Sequence, residues 1–298
     1  MARKYNIMKI LITGAKGFIG IHLEKHLRNI GHDVIGIDFQ DGDLRKDGVA
    51  DALIKYHMPD VVIHLAAQVG IWFNEQDCMH AIESNTIMTL RVAQATAKYG
   101  AKLMHTSTSE VYGDYGDELI DEDAPLIGKP SGIYSLSKRW SEDAAREYAL
   151  DNLVIIRPSM PYGPGAPPGQ GRRAMDNMLW QAHHRKPIIV HRGSMRSWCW
   201  IDDLTKGWEI ILNSGKTGAF NIGRDDDERS MQWIAEEACK LAGADTSLIK
   251  IVDPPAKKTM VKRLSTKKLY DLGWHPMTEI DEGMKKVYEW IKPFPWKE

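Results

Sequence analysis

Residues 10–20 read Ile-Leu-Ile-Thr-Gly-Ala-Lys-Gly-Phe-Ile-Gly, and this stretch decides the fold. An apolar run from Ile7 to Ile12 predicts a buried strand, a glycine-rich turn follows it, and a helical pattern begins near Phe18. Such a turn brings backbone N–H groups and a helix N-terminus up to a pyrophosphate, and glycine lets the backbone approach closely. Because the spacing is Gly-x-x-Gly-x-x-Gly rather than the general fingerprint, a dinucleotide-binding unit needs support from the rest of the chain.

Composition and charge narrow the class of protein. The chain has 298 residues, of which 43% are hydrophobic and 27% charged, as in a globular protein with one large or two unequal domains. The net charge of −1 argues against nucleic acid and anionic membranes as partners. The three cysteines are widely spaced, so we expect neither disulfides nor a metal site. No apolar run is long enough to span a membrane, and the N-terminus does not resemble a signal peptide, so we expect a cytoplasmic protein.

Strand and helix patterns alternate through the first half of the chain. This order predicts an α/β fold with a Rossmann-type, doubly wound parallel sheet. The predicted strands after the first are 33–38, 61–65, 103–106 and 153–158, and the predicted helices are 18–29, 49–57, a segment holding Asn85 to Ala93, and 133–148. The acidic, proline-containing segment 114–130 is expected to be a surface loop.

The alternation ends after Arg157. Residues 163–171 are rich in glycine and proline and predict a mobile loop, which we interpret as a lid. Short strands (187–191, 219–222) and helices (202–212, 231–241, 282–290) follow, and they predict a smaller α+β substrate lobe. We therefore expect a cofactor domain at 1–158 and a substrate lobe at 159–298, partly interleaved with the first.

Asp38 ends the second predicted strand, 18 positions after Gly20. This is close to the offset of the carboxylate that hydrogen-bonds an adenosine ribose in dinucleotide-binding units. A carboxylate there repels a 2′-phosphate, which favours NAD over NADP. Lys16 and Arg45 are near in sequence and argue in the opposite direction.

A catalytic set follows the fourth strand. Tyr134 and Lys138 are four residues apart on a predicted helix and so share one face. A neighbouring ammonium and an oxidised nicotinamide favour the phenolate, which can take a proton from a substrate hydroxyl. Thr108, at the end of a strand, can hold the same substrate oxygen. Glu110 can act as a base on a carbon next to a newly formed carbonyl, although a solvated loop acid would look the same.

Together these motifs resemble the extended short-chain dehydrogenase/reductase family, and within it the NAD-dependent nucleotide-sugar epimerases and dehydratases. The resemblance rests on the glycine turn, Asp38, and the later motifs His64-Leu65-Ala66-Ala67, Ser107-Thr108-Ser109-Glu110-Val111-Tyr112-Gly113, Tyr134-x-x-x-Lys138, Arg196-Ser197-Trp198-Cys199-Trp200-Ile201-Asp202-Asp203 and Leu272-Gly273-Trp274-His275-Pro276.

The resemblance implies a tightly held NAD that removes hydride from C4 of a nucleotide-diphosphate sugar. It implies that Tyr134 is the base, that Lys138 tunes it and contacts the nicotinamide ribose, and that Thr108 orients the substrate. It further implies cofactor contacts at Gly14, Gly17, Phe18, Ile19, Asp38, Asp43, Leu44, Leu65, Ala66, Ala67 and Asn85, and substrate contacts at Ser109, Arg196 and Arg263. A homodimer formed through the helices at 85–98 and 133–148 is also implied.

Two positions depart from the family pattern. Met160 stands where a substrate-binding Asn is usual, and Ser109 stands where sugar dehydratases most often have an acidic Asp. The Ser-Glu pair is similar to that of GDP-mannose dehydratases and UDP-glucuronate decarboxylases. After the 4-ketone forms, 4,6-dehydration, loss of CO2 from a C6 carboxylate and 4-epimerisation all remain open. Glu110 favours the first two, and dehydration is the preferred prediction. An NADPH-dependent reductase and a non-catalytic NAD-binding scaffold are weaker alternatives.

Overall fold

A six-stranded parallel sheet organises the part of the chain that the structure describes. The structure is a computed structural model and describes residues 6–126, 132–169, 173–255 and 259–296. The strands are β1 (Lys9–Thr13), β2 (Asp33–Ile37), β3 (Val61–His64), β4 (Lys102–Thr106), β5 (Leu119–Ile120), β6 (Leu153–Pro158), β7 (Pro161–Tyr162), β8 (Ile188–His191), β9 (Met195–Ser197), β10 (Cys199–Trp200), β11 (Gly218–Ile222), β12 (Glu228–Ser230), β13 (Ile249–Val252) and β14 (Val261–Leu264). The order in the large sheet is β11-β6-β4-β3-β1-β2, with every neighbouring pair parallel. The predicted Rossmann-type sheet is therefore confirmed.

Helices cover both faces of this sheet. The α-helices are α1 (Phe18–Asn29), α2 (Val49–His57), α3 (Ile71–Gln76), α4 (Cys78–Ile82), α5 (Met88–Lys98), α6 (Ile133–Ala149), α7 (Ala174–His183), α8 (Ile201–Ser214), α9 (Met231–Ala242), α10 (Lys267–Tyr270) and α11 (Ile280–Ile291). A π-helical segment, Glu83–Ile87, joins α4 to α5, and a short 3-10 helix covers Ser109–Tyr112.

The alternation of side chains along each strand divides the core in two. On β1, Ile10 and Ile12 pack in the cluster that holds residues of α1, α7 and α8. Leu11, between them, packs in the second cluster with residues of α2, α5 and α6. Both faces of the sheet are buried, which explains why its central strands are apolar throughout.

A second sheet lies outside the predicted elements. Its order is β12-β9-β14-β5 in the described residues, and β14 runs parallel to both of its neighbours. The prediction of a surface loop at 114–130 is wrong at β5, where Leu119 and Ile120 pair with Arg263 and Leu264. Residues 127–130 of that segment lie outside the described residues. A strand of two residues carries too little hydrophobic periodicity to be detected.

The two predicted regions exchange strands. β11 comes from the second region and extends the large sheet beside β6, whereas β5 comes from the first and joins the small sheet. Residues 163–169 of the predicted lid form neither helix nor strand, and residues 170 and 171 lie outside the described residues. Among the described residues, no helix is long and apolar enough to cross a membrane.

Candidate active site

The glycine turn closes against the end of β3. Gly14 has a φ of +70°, and a Cβ at this position would lie 2.8 Å from the backbone nitrogen of Ala66. A Cβ at Gly20 would lie 2.4 Å from the carbonyl oxygen of Gly14. Helix α1 begins after Gly17, without a side-chain cap and without an acidic residue in its first turn. A tight turn and an uncapped helix N-terminus fit the pyrophosphate of a dinucleotide.

Asp38 lies beside this turn. Its carboxylate accepts hydrogen bonds from the backbone N–H of Lys16, at 2.9 Å, and of Phe39, at 2.8 Å. Asp38 follows β2, which is the neighbour of β1 in the sheet, so its carboxylate is held at the same edge as the glycine turn. This position fits a ribose that extends from a pyrophosphate bound at the turn.

The two basic residues that argued for NADP both have protein partners. Lys16 Nζ donates to Gln40 Oε1 at 2.5 Å. Arg45 makes a two-pronged ion pair with Asp43, with distances of 2.8 and 2.9 Å, and this pair lowers the pKa of the Asp43 carboxyl. Both side chains are engaged as the structure stands, which favours NAD.

A chain of hydrogen bonds links the glycine turn to Asn85. Thr13 Oγ1 accepts from the N–H of Ala66, at 3.2 Å, and lies 2.7 Å from His64 Nδ1. His64 Nε2 lies 3.2 Å from Thr89 Oγ1, which donates to the carbonyl oxygen of Asn85 at 2.7 Å. These bonds assign the His64 proton to Nε2. Burial lowers the pKa of His64 to about 3, so the ring is neutral at neutral pH.

Asn85 occupies the π-helical segment and is fully buried. Its Oδ1 accepts from the N–H of Gln68 at 2.8 Å, and its Nδ2 donates to Ser137 Oγ at 3.0 Å and to Asn74 Oδ1 at 3.2 Å. The Asn85 amide thus connects the segment after β3 to α6. Single π-helical turns are often found at functional sites, and this one turns Asn85 inward.

The remaining predicted cofactor positions lie around the same edge. Leu44 is buried, and Phe18, Ile19, Leu65, Ala66 and Ala67 are half-buried.

Tyr134 and Thr108 meet at the same edge of the sheet. Thr108 Oγ1 accepts from the N–H of Glu110 at 3.2 Å, which caps the short 3-10 helix, and the Thr108 hydroxyl lies near enough to Tyr134 to lower its pKa. Burial raises the pKa of Tyr134 to about 12, the neighbouring Thr108 hydroxyl lowers it, and the charge of Glu110 raises it. These groups alone therefore keep Tyr134 a neutral phenol at neutral pH.

Lys138 lies one helical turn after Tyr134 and is buried. Its Nζ donates to the carbonyl oxygen of Thr106, the last residue of β4, at 2.7 Å. Burial lowers the pKa of Lys138 to about 8, while Glu142 raises it. At neutral pH the Lys138 ammonium therefore carries a positive charge one helical turn from Tyr134.

Glu110 forms an ion pair with Lys262, a residue that no sequence motif indicated. Lys262 lies on β14 and is only 2% exposed, whereas the Glu110 side chain is 16% exposed. Arg263, the predicted substrate residue, is adjacent on the same strand and points the other way, where it binds Glu228 at 2.9 Å. Because Lys262 and Arg263 are adjacent and both are basic, the sequence alone did not indicate which of them faces the site.

Arg196 lies opposite Lys262 in the register of β9 and β14. Its guanidinium donates to three backbone carbonyl oxygens, those of Met195 and Met260 at 2.6 Å and that of Thr259 at 2.7 Å. Its predicted contact with a pyrophosphate would therefore use its remaining N–H groups or a changed side-chain conformation. Burial lowers the pKa of Arg196, and the nearby charge of Glu110 raises it.

The two departures from the family pattern also have defined positions. Ser109 is 5% exposed at the start of the 3-10 helix, directly before Glu110. Met160 is half-buried and packs against the large hydrophobic cluster. An apolar side chain there extends the core and supplies no amide to a ligand.

Comparisons with known proteins agree with this fold. Two curated relatives are a probable dTDP-glucose 4,6-dehydratase of Sinorhizobium fredii, 27% identical over 97% of this chain and 94% of that protein, and a UDP-N-acetyl-α-D-glucosaminuronate decarboxylase of Bacillus cytotoxicus, 28% identical over 95% and 98%. The fold is shared with the UDP-glucose 4-epimerase of Thermus thermophilus, solved in complex with NAD: the TM-score is 0.84 and the identity 22%, over 95% of this chain and 98% of that one.

The family described as the NAD dependent epimerase/dehydratase family matches residues 10–223, which include the glycine turn, Asp38, Thr108, Tyr134 and Lys138. The chain therefore belongs to the NAD-dependent epimerase/dehydratase family, and NAD is its cofactor.

Proposed function

We propose that the protein is a nucleotide-sugar 4,6-dehydratase that works through a 4-keto sugar. The observation that carries the proposal is the position of the Glu110 carboxylate in the short 3-10 helix capped by Thr108, where its charge adds to burial in raising the pKa of Tyr134. A 4-epimerase has one proton to move, that of the C4 hydroxyl, and uses no carboxylate for it. Dehydration requires a second proton to be taken from C5, and we assign this proton transfer to Glu110.

The roles of the residues follow from their positions. NAD, when bound, supplies hydride transfer, which oxidises C4 and later completes the product at C6. Tyr134 takes the proton of the C4 hydroxyl, and Thr108 holds the same oxygen by a hydrogen bond. The ammonium of Lys138 favours the phenolate form of Tyr134, which is the form that acts as a base. Glu110 removes the C5 proton, which the 4-ketone has made acidic.

The proposed substrate class rests on the cationic side chains of the site and on the substrates that the names of the curated relatives give. Arg196, with Ser109, is proposed to contact a nucleotide-diphosphate sugar, since guanidinium groups bind phosphate oxygens in pairs. The curated relatives act on dTDP- and UDP-linked sugars by their names, which supports this class for the present chain. Decarboxylation is the second candidate, because Lys262 and Arg196 are neighbouring cations that would attract a C6 carboxylate.

The test is product analysis with a panel of UDP-, dTDP- and GDP-hexoses and the matching uronates. We expect a product that has lost one water, formed without added NADH or NADPH. Loss of CO2 from a uronate would establish a decarboxylase, and an unchanged mass with a new retention time an epimerase. Either result would overturn the proposal.

Glu110→Gln gives an independent test. In a dehydratase this variant keeps the oxidation of C4, so the absorbance of the reduced nicotinamide accumulates while product formation and exchange of the C5 hydrogen with heavy water are lost. The matched control is Glu118→Gln, an exposed acid in the following loop. Full activity of Glu110→Gln with no deuterium at C5 would favour epimerisation instead.

A further inference from the structure

We propose that Lys262 is a catalytic residue, the acid that protonates the C6 oxygen as it leaves. This inference rests on the proposed dehydration. Removal of the C5 proton by Glu110 is only half of that step, since the C6 hydroxyl leaves readily only as water. The residue directly before Glu110 is Ser109, whose hydroxyl is too weak an acid for this task.

The position of Lys262 meets the requirement. Its Nζ contacts a carboxylate oxygen of Glu110, so an acid and a base lie side by side, as adjacent carbons C5 and C6 require. The strand partner Arg196 carries the other cation of this group. A guanidinium does not give up its proton in proteins, and that of Arg196 is engaged with three carbonyl groups. Lys262 is the cation of this pair that can transfer a proton.

The surroundings also prepare Lys262 for proton transfer. Burial lowers its pKa to about 8, Glu110 and Asp114 raise it, and Arg196 lowers it. An ammonium with such a pKa is charged at neutral pH and yet gives up its proton far more readily than an exposed lysine. A pKa near the working pH is the condition under which acid catalysis is most effective.

The elimination then balances. Glu110 takes the C5 proton, and the C5–H electron pair is first held in an enolate with the 4-ketone. That pair then forms the C5=C6 bond as the C6–O bond breaks with its electrons on oxygen. The Nζ proton of Lys262 passes to that oxygen, and water leaves. Lys262 is left neutral and regains a proton from solvent, and solvent receives the proton that Tyr134 took from the C4 hydroxyl. Glu110 returns its proton to C5 when C6 is reduced, so all three residues end as they began.

The experiment compares two leaving groups in Lys262→Met and Lys262→Arg. With the natural 6-hydroxy substrate, we expect loss of water to slow by about 10²–10⁴-fold in both variants, since neither has a transferable proton. With the 6-deoxy-6-fluoro analogue we expect fluoride release within about threefold of the parent, because fluoride leaves without prior protonation. Exchange of the C5 hydrogen with heavy water reports Glu110 directly, and we expect it to stay within about tenfold of the parent.

Each other outcome overturns the inference. If both variants slow both substrates and C5 exchange equally, Lys262 holds Glu110 in place and is not the acid. If Lys262→Met releases water at the parental rate, Lys262 has no part in the step. If the parent protein removes no water from any nucleotide sugar, the proposed function fails, and the role of Lys262 fails with it. The parent protein alone gives that result, so it is distinguished from a failure of the Lys262 inference, which requires the variants.

Discussion

The hydroxyl of Thr13 lies 2.7 Å from Nδ1 of His64, and both side chains are buried at the ends of neighbouring strands. Thr13 stands directly before the glycine turn, and Nε2 of His64 is hydrogen-bonded to Thr89, which binds the backbone of Asn85. A neutral imidazole thus joins the glycine turn to Asn85, both of which are predicted to contact the cofactor. A protonated ring could not accept the bond from Thr13.

This neutral histidine predicts a loss of stability in acid. The pKa of His64 is about 3 in the folded protein and 6.5 as its ordinary value, so the unfolded chain binds more protons between these values. The contribution of His64 is therefore fully present above pH 6.5 and is lost as the pH falls toward 3. We expect the free energy of unfolding of the parent to decrease over this range, and to decrease less in His64→Gln. Urea titrations at several pH values measure this, and equal slopes would contradict it.

Asp38→Ala should relax the choice of cofactor. The carboxylate that repels a 2′-phosphate and fixes the N–H of Lys16 is lost, so we expect NADP affinity to rise by about tenfold or more while NAD affinity falls. Calorimetric titration of both cofactors measures the two dissociation constants. Asp33→Ala, at the exposed start of the same strand, is the control and should change neither. A parent protein that binds both cofactors equally would exclude Asp38 as the ribose ligand.

Tyr134→Phe should lower turnover by about 10²–10⁴-fold and leave NAD affinity within about threefold, because only the proton acceptor is removed. Tyr148→Phe is the matched control, since Tyr148 lies on the same helix and is 42% exposed. Steady-state rates and equilibrium binding of NAD provide the two measurements. Activity of Tyr134→Phe within about threefold of the parent would rule out Tyr134 as the base.

Glu142→Gln should destabilise the fold by about 3–5 kcal/mol, because it leaves the guanidinium of Arg157 buried without its counter-charge. Arg157 binds both carboxylate oxygens of Glu142, at 2.9 and 2.7 Å, and both side chains are at most 2% exposed. Chemical denaturation measures the effect, with Asp143→Asn, an exposed neighbour, as the control. In the double variant Glu142→Leu, Arg157→Met much of the stability should return. A loss below about 1 kcal/mol in Glu142→Gln would contradict the prediction.

We also propose that the protein forms a homodimer through α5 and α6. Val92, Ala93 and Ala145 are buried within the chain, whereas Trp140 on α6 is 41% exposed and available for a second copy. Light scattering at micromolar concentration should return about twice 33.7 kDa for the parent and the single mass for Trp140→Glu. Trp290→Glu, an exposed tryptophan on α11, should remain dimeric. A monomeric parent would refute the proposal.

The fold of the first half was predictable because its signals are local. Apolar runs such as Val61 to Ile63 are buried on both faces, and glycines such as Gly31 and Gly100 follow the helices that they end. The predicted helices 18–29 and 49–57 have the observed bounds. Helix α7 and strands β9, β12, β13 and β14 were not predicted. These four strands are short, and they pair with segments that are distant in the chain. Hydrophobic periodicity therefore carried little information about them.

The sequence by itself determined the family, the doubly wound sheet, the cofactor turn and the types of side chain available for catalysis, since each depends on residues a few positions apart. Only the tertiary structure decided which charges meet. Residues 110 and 262 are 152 positions apart, and the register of β14 turns Lys262 toward Glu110 and Arg263 away from it. Because successive residues of a strand face opposite sides, that choice depends on strand pairing, which no local pattern encodes.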